Sequence, residues 1–190
     1  MSTHTFTVLL DRTPTDDEQD RLYEAGLDDA ALEIDHGAAL LHVDRASSSL
    51  DQAILSVVRD VHSAGFRVSG LQQDDLVSLK TIAQRAGRTY ESMRLLATGQ
   101  RGPGGFPAPL SGDGWSLHSW SLVAGWLREH YGLSDAADDY SRTIAVADLM
   151  ARAQLIAQSG PRRIDLESLM LGLQLIEDEL QNDTDRRRQP

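Results

Sequence analysis

Apolar residues in the first 76 positions follow two different periods. The runs TFTVLLD, AALEIDHGAALLHVDRA and FRVSGLQ predict strands, and the middle run holds two strands about a turn near His36 and Gly37. Apolar residues three and four apart predict two helices between these runs. The first begins with the capping box Thr15-x-x-Glu18 and stops at Gly26. The second has its apolar residues on one side: Ile54, Val57, Val58 and Val61.

These segments follow one another in the order strand, helix, strand, strand, helix, strand. This order is the split βαβ arrangement of ferredoxin-like folds, so we predict a ferredoxin-like α/β domain over residues 1–76. The fold hosts many functions and therefore assigns none. Nothing in the domain forms a catalytic set, since its histidines and aspartates follow the alternation of solvent-facing strand positions.

Residues 77–98 predict two short helices joined by a glycine turn. Ser78 is a good N-cap for the first helix, Gly87 makes the turn, and Thr89 caps the second helix. The pattern is that of a helix-turn-helix, whose second helix meets base edges in the major groove of DNA. Its buried side holds three apolar residues: Met93, Leu96 and Ala97. Its exposed side holds Tyr90, Glu91 and Arg94, with Thr89 and Ser92 near the N-terminal end.

A glycine- and proline-rich stretch, GQRGPGGFPAPLSGDGW, follows the second helix. We predict that it forms a small hairpin, or wing, in which QRGPGGFPAPL leads into one strand, SGDG turns, and WSLH returns. Ser119 then caps a third helix that buries Leu122, Val123, Trp126 and Leu127. The segment 77–132 is therefore predicted to be a winged helix-turn-helix. The tryptophans at 115, 120 and 126 are expected in the core.

Residues 133–185 predict a helical pair, and residues 186–190 a frayed tail. Each helix carries a broad apolar stripe, and Gly160-Pro161 separates them. Apolar stripes wider than one partner can cover often form a dimer interface, and equally often they cap the preceding domain. A dimer is expected because one short recognition helix cannot cover a palindromic site.

Charge is distributed unevenly along the 190 residues. The net charge is −11, which by itself disfavours contact with phosphate. Residues 1–76 have a net charge of −10 and residues 133–190 of −4, whereas residues 77–132 have +3. The only basic segment is thus the one predicted to hold the helix-turn-helix, and DNA binding would be confined to it.

Residues 77–132 resemble the winged-helix DNA-binding domain of MerR-like and excisionase-like (AlpA-type) bacterial regulators. The resemblance lies in LKTIAQRAGRTYESMRLLATG, in GGFPAPLSGDGWSLHSWSLVAGWL and in the tryptophan-containing helix that ends it. It covers under a third of the chain. It implies sequence-specific binding to double-stranded DNA through the second helix and the wing, usually by a homodimer. Two departures from the family are the Asp113 at the wing tip, where a basic residue is usual, and flanking domains that are not the usual effector modules.

The expected DNA-binding residues form two groups. Cationic side chains would hold phosphates, and glycines would let the backbone approach them. Side chains at the start of the second helix would enter the groove. The phosphate group comprises Lys80, Arg85, Arg88, Arg101, Gly102 and Gly104. The groove group comprises Thr89, Tyr90, Glu91, Ser92 and Arg94.

A second reading of the sequence is a protein-interaction adaptor or antitoxin-like module whose acidic N-terminal domain binds a protein partner. An enzyme is not expected, because no residue set supports catalysis and the glycine-rich loop lacks the nucleotide-binding patterns. No cofactor and no metal are expected, since the chain has no cysteine and its histidines lack ligand spacing. With neither a signal peptide nor an apolar run of membrane-spanning length, we expect a soluble cytoplasmic protein.

Overall fold

A computed structural model describes residues 1–111, 116–133 and 137–176. The chain divides into two compact units, residues 1–149 and 150–190. The first unit mixes antiparallel sheet with helices, so the protein belongs to the α+β class as predicted. Its core lies in two places, under a four-stranded sheet and inside a cluster of short helices.

The four-stranded sheet is built entirely from antiparallel pairs. Its strands are β1 (Ser2–Leu10), β2 (Ala30–Asp35), β3 (Ala38–Ser47) and β4 (Val68–Leu71). They lie in the order β2-β3-β1-β4, so the first strand pairs with the third and the fourth. The β2–β3 turn has positive φ at His36 and Gly37, where the sequence predicts it.

Two helices accompany this sheet, α1 (Asp16–Glu24) and α2 (Leu50–Ser63). Strand residues alternate in burial, because successive side chains point to opposite faces. The buried residues of β1, β3 and α2 are Phe6, Val8, Leu10, Ala39, Leu41, Val43, Ala53, Ile54, Val57 and Val61. Val58, predicted on the apolar side of α2, is instead exposed. Helical phase explains the difference, because an amphipathic helix turns only about three of every seven positions towards the core. Val58 is not one of them.

Arginine side chains in this region are held by internal carboxylates. Arg45, near the end of β3, donates to Asp29 at 2.5 and 2.9 Å and to Asp60 at 2.7 Å. It also donates to the Ser56 hydroxyl and the Gly26 carbonyl. These bonds satisfy the guanidinium, and the neighbouring carboxylates raise the Arg45 pKa, the Asp29 hydrogen bond most of all.

The remaining part of the first unit contains a second, two-stranded sheet and four helices. The order is β5 (Leu76–Ser78), α3 (Leu79–Arg85), α4 (Tyr90–Ala97), β6 (Leu117–Ser119), α5 (Trp120–Tyr131) and the start of α6 (Ala137–Gln158). The helices α3 and α4 thus lie where the sequence predicts them. They share one core with α5. The buried residues of this core are Val77, Ile82, Ala83, Met93, Leu96, Trp120, Val123, Ala124, Trp126 and Leu127. Leu122, which the sequence predicts to be buried, is instead exposed, because it lies outside the buried side of α5.

The predicted wing differs from the observed backbone. Its turn and Trp115 lie at 112–115, outside the described residues, but 99–110 contain no strand. The return strand β6 pairs antiparallel with β5, and a single backbone bond joins Leu110 to Leu117. The physical reason is the sequence itself, since the stretch contains three prolines without N–H groups and four glycines at positive φ. A ladder cannot run through such residues.

The described C-terminal residues form two helical segments joined by the non-helical residues 159–165. A helix α7 covers residues 166–176, and the predicted tail lies outside the described residues. Within the first unit, the buried Asp148 of α6 accepts hydrogen bonds from the Leu71 amide and the Gln73 side chain. No helix in the described ranges is both long enough and apolar enough to cross a membrane.

Candidate nucleic-acid interface

The α3–α4 pair is set by two capped helix starts and one glycine. The Ser78 hydroxyl accepts from the Thr81 amide at 3.3 Å, and the Thr89 hydroxyl accepts from the Ser92 amide at 3.2 Å. Between the helices, Gly87 has a φ of +61°, and the Arg88 amide donates back to the Ala83 carbonyl. Ala83 is 3% exposed, so its small side chain lets the helices approach closely.

Helix α4 has one buried side and one open side. Met93 and Leu96, three positions apart, are fully inside the core. Tyr90 is 52% exposed, and the Glu91 and Arg94 side chains are 61% and 39% exposed. The open side therefore presents the three residues that the sequence places there.

Arg94 is already paired on this surface. Its Nε and Nη2 atoms donate to the two carboxylate oxygens of Glu91 at 3.0 and 2.7 Å. The hydrogen bond from Arg94 lowers the Glu91 pKa, and the same bond raises that of Arg94. The contact uses one edge of the guanidinium, and the Nη1 edge makes no contact with Glu91. A bidentate contact to a guanine remains geometrically open to that edge.

The three basic residues of α3 and the turn lie at the helix surfaces. Lys80 is exposed at the first turn of α3. Arg85 donates to the Asp74 carbonyl at 3.1 Å and lies 5.4 Å from the Trp120 ring. Arg88 stacks at 4.3 Å over the ring of Tyr131. These aromatic contacts hold the arginines without neutralising them, so their positive charge remains at the surface.

The loop after α4 holds the other three predicted residues, Arg101, Gly102 and Gly104. Arg101 is exposed, and its amide bonds to the Leu95 carbonyl. Gly102 has a φ of +88°, and a Cβ there would lie 2.7 Å from Leu96 and from the Tyr131 hydroxyl. Glycine is therefore favoured at position 102 by its positive φ and by the close approach of the Leu96 and Tyr131 side chains, which the sequence analysis did not predict.

Gly104 fixes the loop in another way, through its backbone. It has a φ of +81°, and its carbonyl accepts from the Trp126 ring nitrogen at 3.1 Å. A Cβ at Gly104 would meet nothing within 4 Å. The backbone there is thus open on its outer side.

An aromatic cluster behind the loop was missed by the sequence reading. Trp126 contacts Phe106, His130 and Tyr131 with ring centroids 5.0–5.6 Å apart. His118 is buried and lies against Phe106, and its Nδ1–H donates to the Pro107 carbonyl. The sequence contained one signal for this cluster, because His130 and Tyr131 follow Trp126 by four and five positions on one helix.

Comparison of the chain with family models, with curated proteins and with solved structures found no match.

Neither a metal centre nor a cofactor site stands out among the described side chains. No group of three or more histidine, aspartate and glutamate side chains in residues 1–111, 116–133 and 137–176 is placed to hold a metal ion. A cavity of about 330 Å³ lies between β1, the segment 72–75 and α6. The Asp75 carboxylate at its edge is already occupied, because it accepts two hydrogen bonds from Ser121.

Proposed function

We propose that the protein is a sequence-specific double-stranded DNA-binding protein of the bacterial transcriptional-regulator type, acting in the cytoplasm. One observation carries the proposal. Helix α4 buries Met93 and Leu96 and leaves Tyr90, Glu91 and Arg94 open. It lies in residues 77–132, which have a net positive charge, whereas residues 1–76 and 133–190 are each net negative. A short capped helix with one open polar side is what major-groove recognition needs.

The finer fold is part of the same proposal. We interpret β5, α3, α4, β6 and α5 as a winged helix-turn-helix in which the β5–β6 pair and the ordered 99–110 loop form the wing base. Its resemblance to MerR-like and excisionase-like regulators supports this interpretation. The strand order β2-β3-β1-β4 with helices after β1 and β3 supports a ferredoxin-like N-terminal domain.

The roles follow from the contacts. Lys80, Arg85, Arg88 and Arg101 would contact phosphates and set the affinity, which carries no sequence information. Arg94 would read a guanine through its Nη1 edge while Glu91 holds the other edge. Thr89 and Ser92 lie at the helix start, where the amides favour an anion.

The test is selection of duplexes from a random pool by the full chain, followed by binding at several salt concentrations. We expect a defined site and an affinity that falls linearly on a log–log plot against salt. Arg94→Ala should weaken that site about tenfold to a hundredfold, as loss of a bidentate base contact does. Arg101→Ala should weaken all sequences alike and lower the salt slope by about 1.

The matched control is Arg59→Ala, which removes an exposed arginine from α2, outside the proposed interface. It should leave both quantities unchanged. Equal affinity of the wild type and Arg94→Ala for the selected site would remove α4 from its proposed role. If no duplex is enriched, the proposal that the protein binds DNA is wrong.

A protein-interaction adaptor is the second candidate, and a specific surface favours it. The outward face of the sheet has hydrogen-bonded polar rows from Thr5 to Asp44 and from Thr7 through His42 to Glu33. Its carboxylates are exposed, which suits a basic protein partner. The test compares the full chain with a double variant that carries Glu33→Lys and Asp44→Lys. A cellular protein that binds the wild type and not the double variant would support the adaptor. Equal binding to both would argue against it.

A further inference from the structure

The second unit leaves an unusual amount of apolar side chain uncovered. In residues 150–176, ten large apolar side chains are more than a third exposed. They are Met150, Leu155, Ile156, Ile164, Leu169, Met170, Leu171, Leu173, Leu175 and Ile176. By contrast, α2 of the first unit exposes only Leu55 and Val58 among its large apolar residues.

The exposed area matches what an interface between two proteins needs. Ten half-exposed side chains of this size present on the order of 1,000 Å² of apolar surface, against ~300–600 Å² for the largest patch on a typical monomer. One partner in a stable interface contributes about 800 Å². Residues 150–176 therefore present enough surface for a complete interface.

The pattern on α7 favours a copy of the same chain as the partner. Leu166, Leu169, Met170, Leu173 and Ile176 share one side of this helix and are named here the α7 stripe. Leu166 and Ile176 lie at equal distances from position 171, and so do Leu169 and Leu173. A two-fold interface requires a surface that matches itself, and this stripe does so when two α7 helices run antiparallel. Antiparallel helices also place opposite dipole ends together.

The other side of α7 is apolar as well. Leu171 and Leu175, four positions apart, are 62% and 56% exposed. A helix that is apolar on opposite sides is stable only between other helices. Pairing of two α7 helices covers only the α7 stripe. The exposed Met150, Leu155 and Ile156 of α6 in the two copies supply further apolar surface for contact with Leu171 and Leu175.

We infer that residues 150–176 form the contact between two copies of this chain, with the α7 stripes packed antiparallel about a two-fold axis near Met170. The inference does not depend on DNA binding. It gives the proposed regulator the dimer that a palindromic site requires.

The first test is the mass of the full chain in solution, measured by sedimentation at tens of micromolar. We expect twice the chain mass of 20.9 kDa. Leu173→Asp should give the monomer, because it buries a charge in the interface. Leu55→Asp is the matched control, since Leu55 and Leu173 are both 56% exposed, and it should stay dimeric. A monomeric wild type, or a dimer that Leu173→Asp leaves intact, would overturn the inference.

The second test uses the absence of native cysteine. Under oxidation, Met170→Cys should cross-link to itself, because it lies beside the axis. Leu166→Cys should not, but it should cross-link to Ile176→Cys when the two variants are mixed. Efficient self-cross-linking of Leu166→Cys would mean parallel helices and would overturn the antiparallel packing.

Discussion

Among the described residues, carboxylates hold more of the arginines in one half of the first unit than in the other. In residues 1–71, Arg12 and Arg45 are held by carboxylates of the same region. In residues 76–133, Arg85 and Arg88 lie on aromatic rings, and among the described residues no carboxylate pairs with Lys80 or Arg101. Net charge alone hides this difference. A strongly acidic protein still has one surface whose positive charge is available to a ligand.

The largest expected effect comes from breaking the internal charge network of the sheet region. Arg45→Met leaves the Asp29 and Asp60 carboxylates without their cation in a site that is mostly buried. We expect a loss of about 3 kcal/mol in the free energy of unfolding, measured with urea. Arg59→Met, on the exposed side of α2, should change it by less than about 0.5 kcal/mol. A loss below about 1 kcal/mol for Arg45→Met would mean that the network contributes little.

In the region of α3, α4 and α5, we expect an added methyl group, and not the loss of a charge, to lower the stability. Gly102→Ala places a Cβ against Leu96 and Tyr131 at a strained φ, and we expect a loss of about 2 kcal/mol in thermal or urea unfolding. Gly104→Ala meets open space at a similar φ, so it should cost about 1 kcal/mol. Equal losses for the two variants would show that packing at Tyr131 does not constrain the loop.

Glu91 differs from the rest of residues 76–133, because among the described residues it is the one carboxylate that pairs with an arginine on the α4 surface. Glu91→Gln removes its repulsion of phosphate and should strengthen binding to an arbitrary duplex about threefold at low salt. The free energy of unfolding should stay nearly unchanged, since the pair is exposed. Glu24→Gln, on α1, serves as the control for binding. An unchanged affinity for Glu91→Gln would place phosphates away from this helix side.

The smallest expected effect is a pH dependence at the start of α1. The hydrogen bond from Arg12, then that from the Thr15 amide, lowers the Glu18 pKa from 4.5 to about 2. Because the folded pKa is the lower one, this stabilisation is complete above about pH 4.5 and is lost as the pH falls towards 2. Titration of the Glu18 carboxyl by NMR should show the low pKa, and Arg12→Gln should raise it. A wild-type pKa near 4.5 would contradict the capping geometry.

Local chemistry accounts for what the sequence predicted correctly. Thr15, Ser78, Thr89 and Ser119 precede the helices they were expected to begin, since a helix start depends on its own first turn. The open side of α4 followed from helical phase in the same way.

Features that depend on distant residues were not predictable from local pattern. The pairing of β5 with β6 joins three-residue strands about 40 positions apart, which no periodicity reveals. The contacts of Tyr131 with Arg88 and with the Gly102 loop depend on the same tertiary packing. The first strand of the predicted wing is absent from residues 99–110, because glycine and proline indicate a loop without specifying its shape.

Asp75 has a practical consequence for anyone dividing this chain. Its backbone carbonyl accepts from the Trp120 amide, and its carboxylate accepts from the Ser121 amide and hydroxyl. The residue just before β5 thus anchors the first turn of α5, and the neighbouring Asp74 carbonyl receives Arg85. A fragment that begins at Leu76 would lose both contacts, so an excised fragment that contains α3, α4 and α5 should begin several residues earlier, at or before Gln72.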